Sequence, residues 1–174
     1  MTRRLKHLIG AGLLAGALAT LSFVPPALAL ESLGQHRDWT VLKHEEGENV
    51  LCYIASRPTR EQGEYSARDE VHILVTHRPY LNTRDVVSIL AGYTYKEDSV
   101  VEAQIGNTNF AFYPSGEYAF SRNPEDDRRL VAAMKAGVEM IVTGTSDRGT
   151  ETTDTYSLRG FTAAYDQSIE ACGL

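Results

Sequence analysis

The sequence predicts a mainly β domain, an antiparallel β-sandwich or partly open barrel with two packed helices, one of them C-terminal. Three observations carry that expectation. Short β-branched and aromatic runs alternate with turn compositions from Trp39 to Phe120, the period changes at Asn123-Pro124, and Phe161 to Cys172 forms an apolar stripe at helical spacing.

At the start of the chain, Arg3, Arg4 and Lys6 precede an apolar stretch from Leu8 to Val24, followed by Pro25-Pro26 and Ala27-Leu28-Ala29. A positive lead, an apolar segment and a small-x-small site together read as a secretory signal peptide cut after Ala29. The rival is a membrane anchor, for which about 17 apolar residues sit at the lower limit of a bilayer span. The proline pair, the Ala-x-Ala site and the lack of stop-transfer charges favour cleavage, leaving no integral membrane span. Arg3-Arg4 invites twin-arginine export, against which Lys6 stands where a bulky apolar residue is wanted, so the export route stays open. Residues 30–174 are then expected to form a single domain, ordered from about residue 38. Losing Arg3, Arg4 and Lys6 from 17 basic residues, and none of the 23 acidic ones, leaves net −9. So acidic a surface argues against nucleic acid or anionic lipid as partner.

Leu30 to Arg37 shows no periodicity and reads as a lead. Asp38 to Leu42 holds the only tryptophan in a β-prone run, Glu45 to Asn49 is a turn composition, and Val50 to Ala55 resumes as a strand. Alternation places Val50, Cys52 and Ile54 on one face, toward the core. Arg57 to Asp69 is charged and turn-rich, and reads as an exposed loop. Val71 to His77 is a strand that Pro79 ends. Asp85 to Gly92 could be strand or helix, and Val86, Val87 and Ile89 favour strand. Ser99 to Ile105, Phe110 to Tyr113 and Tyr118 to Phe120 follow as strands joined at Gly106-Asn107 and Pro114-Ser115-Gly116. Asn123 as N-cap, Pro124 at the first helical position and acids in the first turn start a helix that Gly137 ends, with Leu130, Ala133 and Met134 on one face. Val138 to Thr143 and the threonine-rich Thr150 to Leu158 are strands. The closing helix aligns Phe161, Ala164, Tyr165, Ser168, Ile169 and Cys172.

Cys52 and Cys172 are the only cysteines, and both survive cleavage. In an exported protein this reads first as one disulfide, with two buried free thiols as the alternative; neither belongs to a C-x-x-C pair, which disfavours zinc. His36, His44, His72 and His77 lack metal-ligand clustering and read as surface or edge-strand residues. There is no G-x-S-x-G elbow, and Ser146-Asp147 sits in a turn without a nearby histidine. Glu151 and Asp154 fall on opposite faces of their strand, so they make a poor acid/base pair. Glu151, Thr153, Thr155 and Ser157 share one face, either as a binding surface for a polar partner or as solvated strand; Tyr93, Tyr95, Tyr113 and Tyr118 offer a recognition patch or packing aromatics. No catalytic residue, metal site or cofactor is expected.

Several pieces resemble the invasion-associated locus B family of exported alphaproteobacterial proteins. They are Asp38 to Val41, Val50 to Ser56, Leu74 to Pro79, Ala91 to Lys96 and, most specifically, Gly144 to Cys172 with Arg148-Gly149-Thr150-Glu151-Thr152-Thr153-Asp154-Thr155-Tyr156-Ser157-Leu158. The resemblance implies a periplasmic or cell-surface protein, linked in some pathogens to host-cell invasion, without an established enzymatic activity or cofactor. Other members have an additional cysteine soon after the tryptophan; here Leu42-Lys43-His44 stands in its place. The expected function is a non-enzymatic exported binding or accessory protein of the periplasm or cell envelope, with an unknown envelope or host protein as partner. The alternatives are a structural periplasmic stability factor and an uncharacterised hydrolase.

Overall fold

The computed structural model describes residues 30–174; the expected signal peptide, residues 1–29, lies outside them. The strands are β1 Leu30–His36, β2 Trp39–Glu46, β3 Asn49–Ser56, β4 Arg60–Gly63, β5 His72–Arg78, β6 Thr83–Leu90, β7 Val101–Ile105, β8 Thr108–Ser115, β9 Tyr118–Phe120, β10 Glu139–Thr145 and β11 Glu151–Ser157. The helices are α1 Pro124–Ala136 and α2 Phe161–Ala171. All strand pairs are antiparallel, and the spatial order is β1-β2-β3-β5-β6-β9-β8-β7-β10-β11-β4. The sheet is open, not closed into a barrel. Its free edges are β1 and β4.

Strand β8 joins the two halves of the sheet. Its first part pairs with β7, from Ile105↔Thr108 to Val101↔Phe112, and its end pairs with β9, from Tyr113↔Phe120 to Ser115↔Tyr118. Inward residues of both halves, such as Ile54, Ile73 and Val87 from one and Ala103, Met140 and Val142 from the other, belong to one core with Leu130, Met134, Phe161 and Ala164 of the helices. Trp39 is fully buried, meets the Phe161 ring edge-on at 4.9 Å and donates from Nε1 to the Ser157 carbonyl at 3.0 Å. The start of β2, the end of β11 and the last helix are thereby tied together across the fold.

Helix α1 begins as its sequence demands, with Asn123 Oδ1 accepting from the Glu125 and Asp126 amides at 3.0 Å each. It ends at Gly137 in an extended conformation, where close packing decides the residue: an added Cβ would stand 2.6 Å from Ile105 and 2.8 Å from Leu158. Cys172, at the C-cap of α2, is bonded to Cys52 with Cα atoms 5.8 Å apart. Among the described residues, no helix is long and apolar enough to cross a membrane.

Three local expectations are corrected. Leu30 to His36 is not an unstructured lead but edge strand β1, half-exposed and broken in register between Ser32 and Gly34, which erases its alternation. Arg57 to Asp69 is not wholly loop, since Arg60 to Gly63 pairs with β11 as the opposite edge. His77 is not a surface histidine: it is fully buried on the inner face of β5, in line with Ile73 and Val75.

Candidate functional site

Strand β11 lies between β10 and β4, and its alternation sends Thr152, Asp154 and Tyr156 inward. A carboxylate at 2% exposure needs a cation, because an unpaired buried charge is costly. Arg68 provides it. Its Nη1 and Nη2 donate to Asp154 Oδ1 and Oδ2 at 2.7 and 2.6 Å, while Nε donates to the Ala91 carbonyl at 2.6 Å. Burial alone would lower the guanidinium pKa, but the Asp154 pair outweighs it and holds the group above its ordinary value. The guanidinium also faces the Tyr65 and Tyr93 rings, with centroids 5.6 and 5.1 Å away.

The clasp is set by the surrounding backbone. Gly92 has φ +69°, and an added Cβ would run into the Asp69 carbonyl; the Asp69 amide donates to the Gly92 carbonyl at 3.0 Å. Gly144 lets Tyr95 and Tyr93 approach β10, since a Cβ there would lie 2.7 Å from the Tyr95 ring. Tyr93 Oη and Thr152 Oγ1 are 2.7 Å apart. Burial raises the pKa of Tyr93, Tyr95 and Tyr156. The Tyr156 hydroxyl is fully buried with no hydrogen-bond partner.

Above this clasp opens a cleft of about 390 Å³, lined by residues 64–69, residues 92–94, residues 146–148, Thr150 and Thr152. Ser146 Oγ accepts the Thr150 amide at 3.1 Å, shaping the turn that carries Asp147 and Arg148. Asp154 does not line the cleft, and both its oxygens are committed to Arg68, which does.

A second polar cluster lies under α2. Asp85, at φ +64° beside an irregularity in the β5–β6 register, accepts from Tyr165 Oη at 2.8 Å. Ser168 Oγ stands 3.2 Å from His77 Nε2, and His77 Nδ1 stands 3.8 Å from Asp85 Oδ1. Those three residue types invite comparison with a hydrolytic triad, yet the protons run the wrong way. The Asp85 amide donates to Nδ1 at 3.1 Å, which leaves the ring proton on Nε2, directed at Ser168 Oγ. Ser168 in turn donates to the Tyr165 carbonyl at 2.7 Å. Burial holds His77 down to about 4, so the ring stays neutral. It serves as a structural bridge from β5 to α2.

The other sequence candidates are dispersed. Glu151 is exposed, Thr153 and Ser157 are half-buried, and Thr155 is buried at 3%, with Arg60 Nη2 of β4 donating to its hydroxyl at 3.3 Å. His36 meets Gln167 at 2.7 Å, His72 accepts from Arg57 at 3.2 Å, and among the described residues no group of three or more His, Cys, Asp or Glu could hold a metal ion. Tyr113 lies under Arg122 at 4.1 Å, and Tyr118 stacks with Phe120 at 6.0 Å. Sequence reasoning missed Arg68 because its neighbours are charged and turn-rich; the signal for it was the inward Asp154, which required a partner.

Comparison with curated proteins and with solved structures returns no match. A family model described as Invasion associated locus B (IalB) protein matches residues 39–168, which include β2 to β11, α1 and most of α2. The chain belongs to the Invasion associated locus B (IalB) protein family.

Proposed function

We propose that this is a non-enzymatic, exported binding or accessory protein of the periplasm or cell envelope, acting in host-cell interaction, and that the cleft over Arg68 is where it recognises its partner. The observation that carries the reading is the clasp itself. A buried bidentate ion pair, a backbone contact at Gly92 and two tyrosine rings hold the cleft wall in place before any ligand arrives. Such preorganisation reduces the ordering cost of binding. The leading apolar segment with its small-x-small site and the Cys52–Cys172 bond support export to an oxidising compartment.

The hydroxyl face of β11 is a second place for contact, through Glu151, Thr153 and Ser157. Purified residues 30–174 should retain a specific component from a native envelope or host-surface extract. Thr153→Lys should weaken retention if β11 contributes, whereas Asp147→Asn should weaken it if the cleft does, both with unchanged melting temperature. A purely structural stability factor retains nothing specific, and that outcome would sink the binding reading.

A further inference from the structure

The chemistry of the cleft and the edge strand beside it narrow the class of partner. Arg68 is committed internally to Asp154, so it offers a ligand no free charge. Of the remaining charged groups on the walls, Glu64, Asp69 and Asp147 enter no ion pair among the described residues, and Arg148 is the single countering cation. The cleft therefore presents an excess of unpaired carboxylate, three acids against Arg148, which attracts cations. Immediately before Glu64 runs β4, exposed at all four residues and paired with β11 alone. Its outer row of backbone groups is a template for one more strand. Glu61 and Gly63 pair with Asp154 and Thr152, so they share the cleft side of the sheet, and Tyr65 packs over Gly63.

We infer that the protein binds an extended, lysine- or arginine-bearing peptide segment, which adds to β4 as a further antiparallel or parallel strand and lowers its basic side chains toward Glu64, Asp69 and Asp147; Glu61, on the same side, is already paired with Arg68 at 3.7 Å. This rests on the binding reading above and names the ligand class for the same site. A second copy of the chain is a poor occupant, because it brings a net charge of −9 after signal removal, from 14 basic and 23 acidic residues.

The test is fluorescence anisotropy of residues 30–174 with a labelled peptide of alternating lysine and valine. Its controls are a serine–valine peptide, a glutamate–valine peptide, and the lysine peptide N-methylated at alternate residues. The lysine peptide should bind saturably, about tenfold or more tighter than either control of different charge, and added salt should weaken it. Asp69→Asn with Asp147→Asn, both exposed, should weaken it about five- to tenfold at unchanged melting temperature. N-methylation, which removes strand donors, should abolish it. Equal binding of the serine or glutamate peptide, insensitivity to the Asp69 and Asp147 changes, equal binding of the N-methylated peptide, or no binding of the lysine peptide each overturns the inference. If envelope capture persists while the peptide fails, only the ligand class falls; if both fail, the binding reading falls with it.

Discussion

Arg68 and Asp154 show what one inward carboxylate imposes on a fold. Each side chain is only 3% exposed, so neither charge can be left without the other. Arg68→Met should destabilise the domain by about 3 to 5 kcal/mol in urea unfolding, and Arg68→Met combined with Asp154→Leu should recover much of the loss, because the cost lies in the orphaned charge. His77 gives a pH dependence of defined sign. Its native value of about 4 lies below the ordinary 6.5, so between those values the unfolded chain binds more protons. Stability from this group is full above about pH 6.5 and is lost as pH falls toward 4, by about 3 kcal/mol. Asp127 is shifted upward by burial and opposes that trend, so the clean measurement is a difference. Against wild type, His77→Asn keeps an acceptor for the Asp85 amide and should flatten the stability profile between pH 4 and 6.5; an unchanged slope would refute the assignment. The alternation of Val71, Ile73 and Val75 already pointed His77 inward, but the proline that follows suggested a strand end at the surface. What the sequence could not show was α2 lying over that end.

At the scale of elements, legibility followed the strength of local chemistry. Asn123, Pro124 and the three acids behind them announced α1, and Asn123→Ala should cost about 1 kcal/mol, read as a small drop in melting temperature. The stripe from Phe161 to Cys172 announced α2, with Phe161, Ala164, Tyr165 and Ser168 buried as the spacing required. Its start depends on Gly160, at φ +89° with the His36 carbonyl where a Cβ would go. Gly160→Ala should therefore cost about 2 kcal/mol or more and should loosen β1 together with α2, seen as faster amide exchange in both. The two edges of the sheet were the elements least visible in sequence. Strand β1 loses its alternation at an irregular register, and β4 is three polar residues and a glycine whose only reason to be a strand is the neighbouring β11. That same neighbour explains why Thr155, expected on an open hydroxyl face, lies under Arg60.

Across the whole molecule, one covalent bond and one non-local sheet dominate. The Cys52–Cys172 bond spans 120 residues and fastens α2 to β3 on the inner face. On the chain-entropy model its removal by Cys52→Ala with Cys172→Ala should cost about 4 to 5 kcal/mol, to be read from denaturant midpoints. Non-reducing mass spectrometry should find the two cysteine peptides joined; two alkylated thiols would contradict the pairing. The mainly β, two-helix architecture was readable from periodicity because most strands keep one buried face. The order of strands was not. Pairings such as β4 with β11 join segments some ninety residues apart, and no local pattern encodes them.

The ring that Cys52–Cys172 closes takes in β4 to β11 and both helices, so a chain cut once inside it stays one covalent molecule. A protease that nicks the exposed stretch around β4 therefore releases no fragment, and the two pieces part only when the bond is reduced.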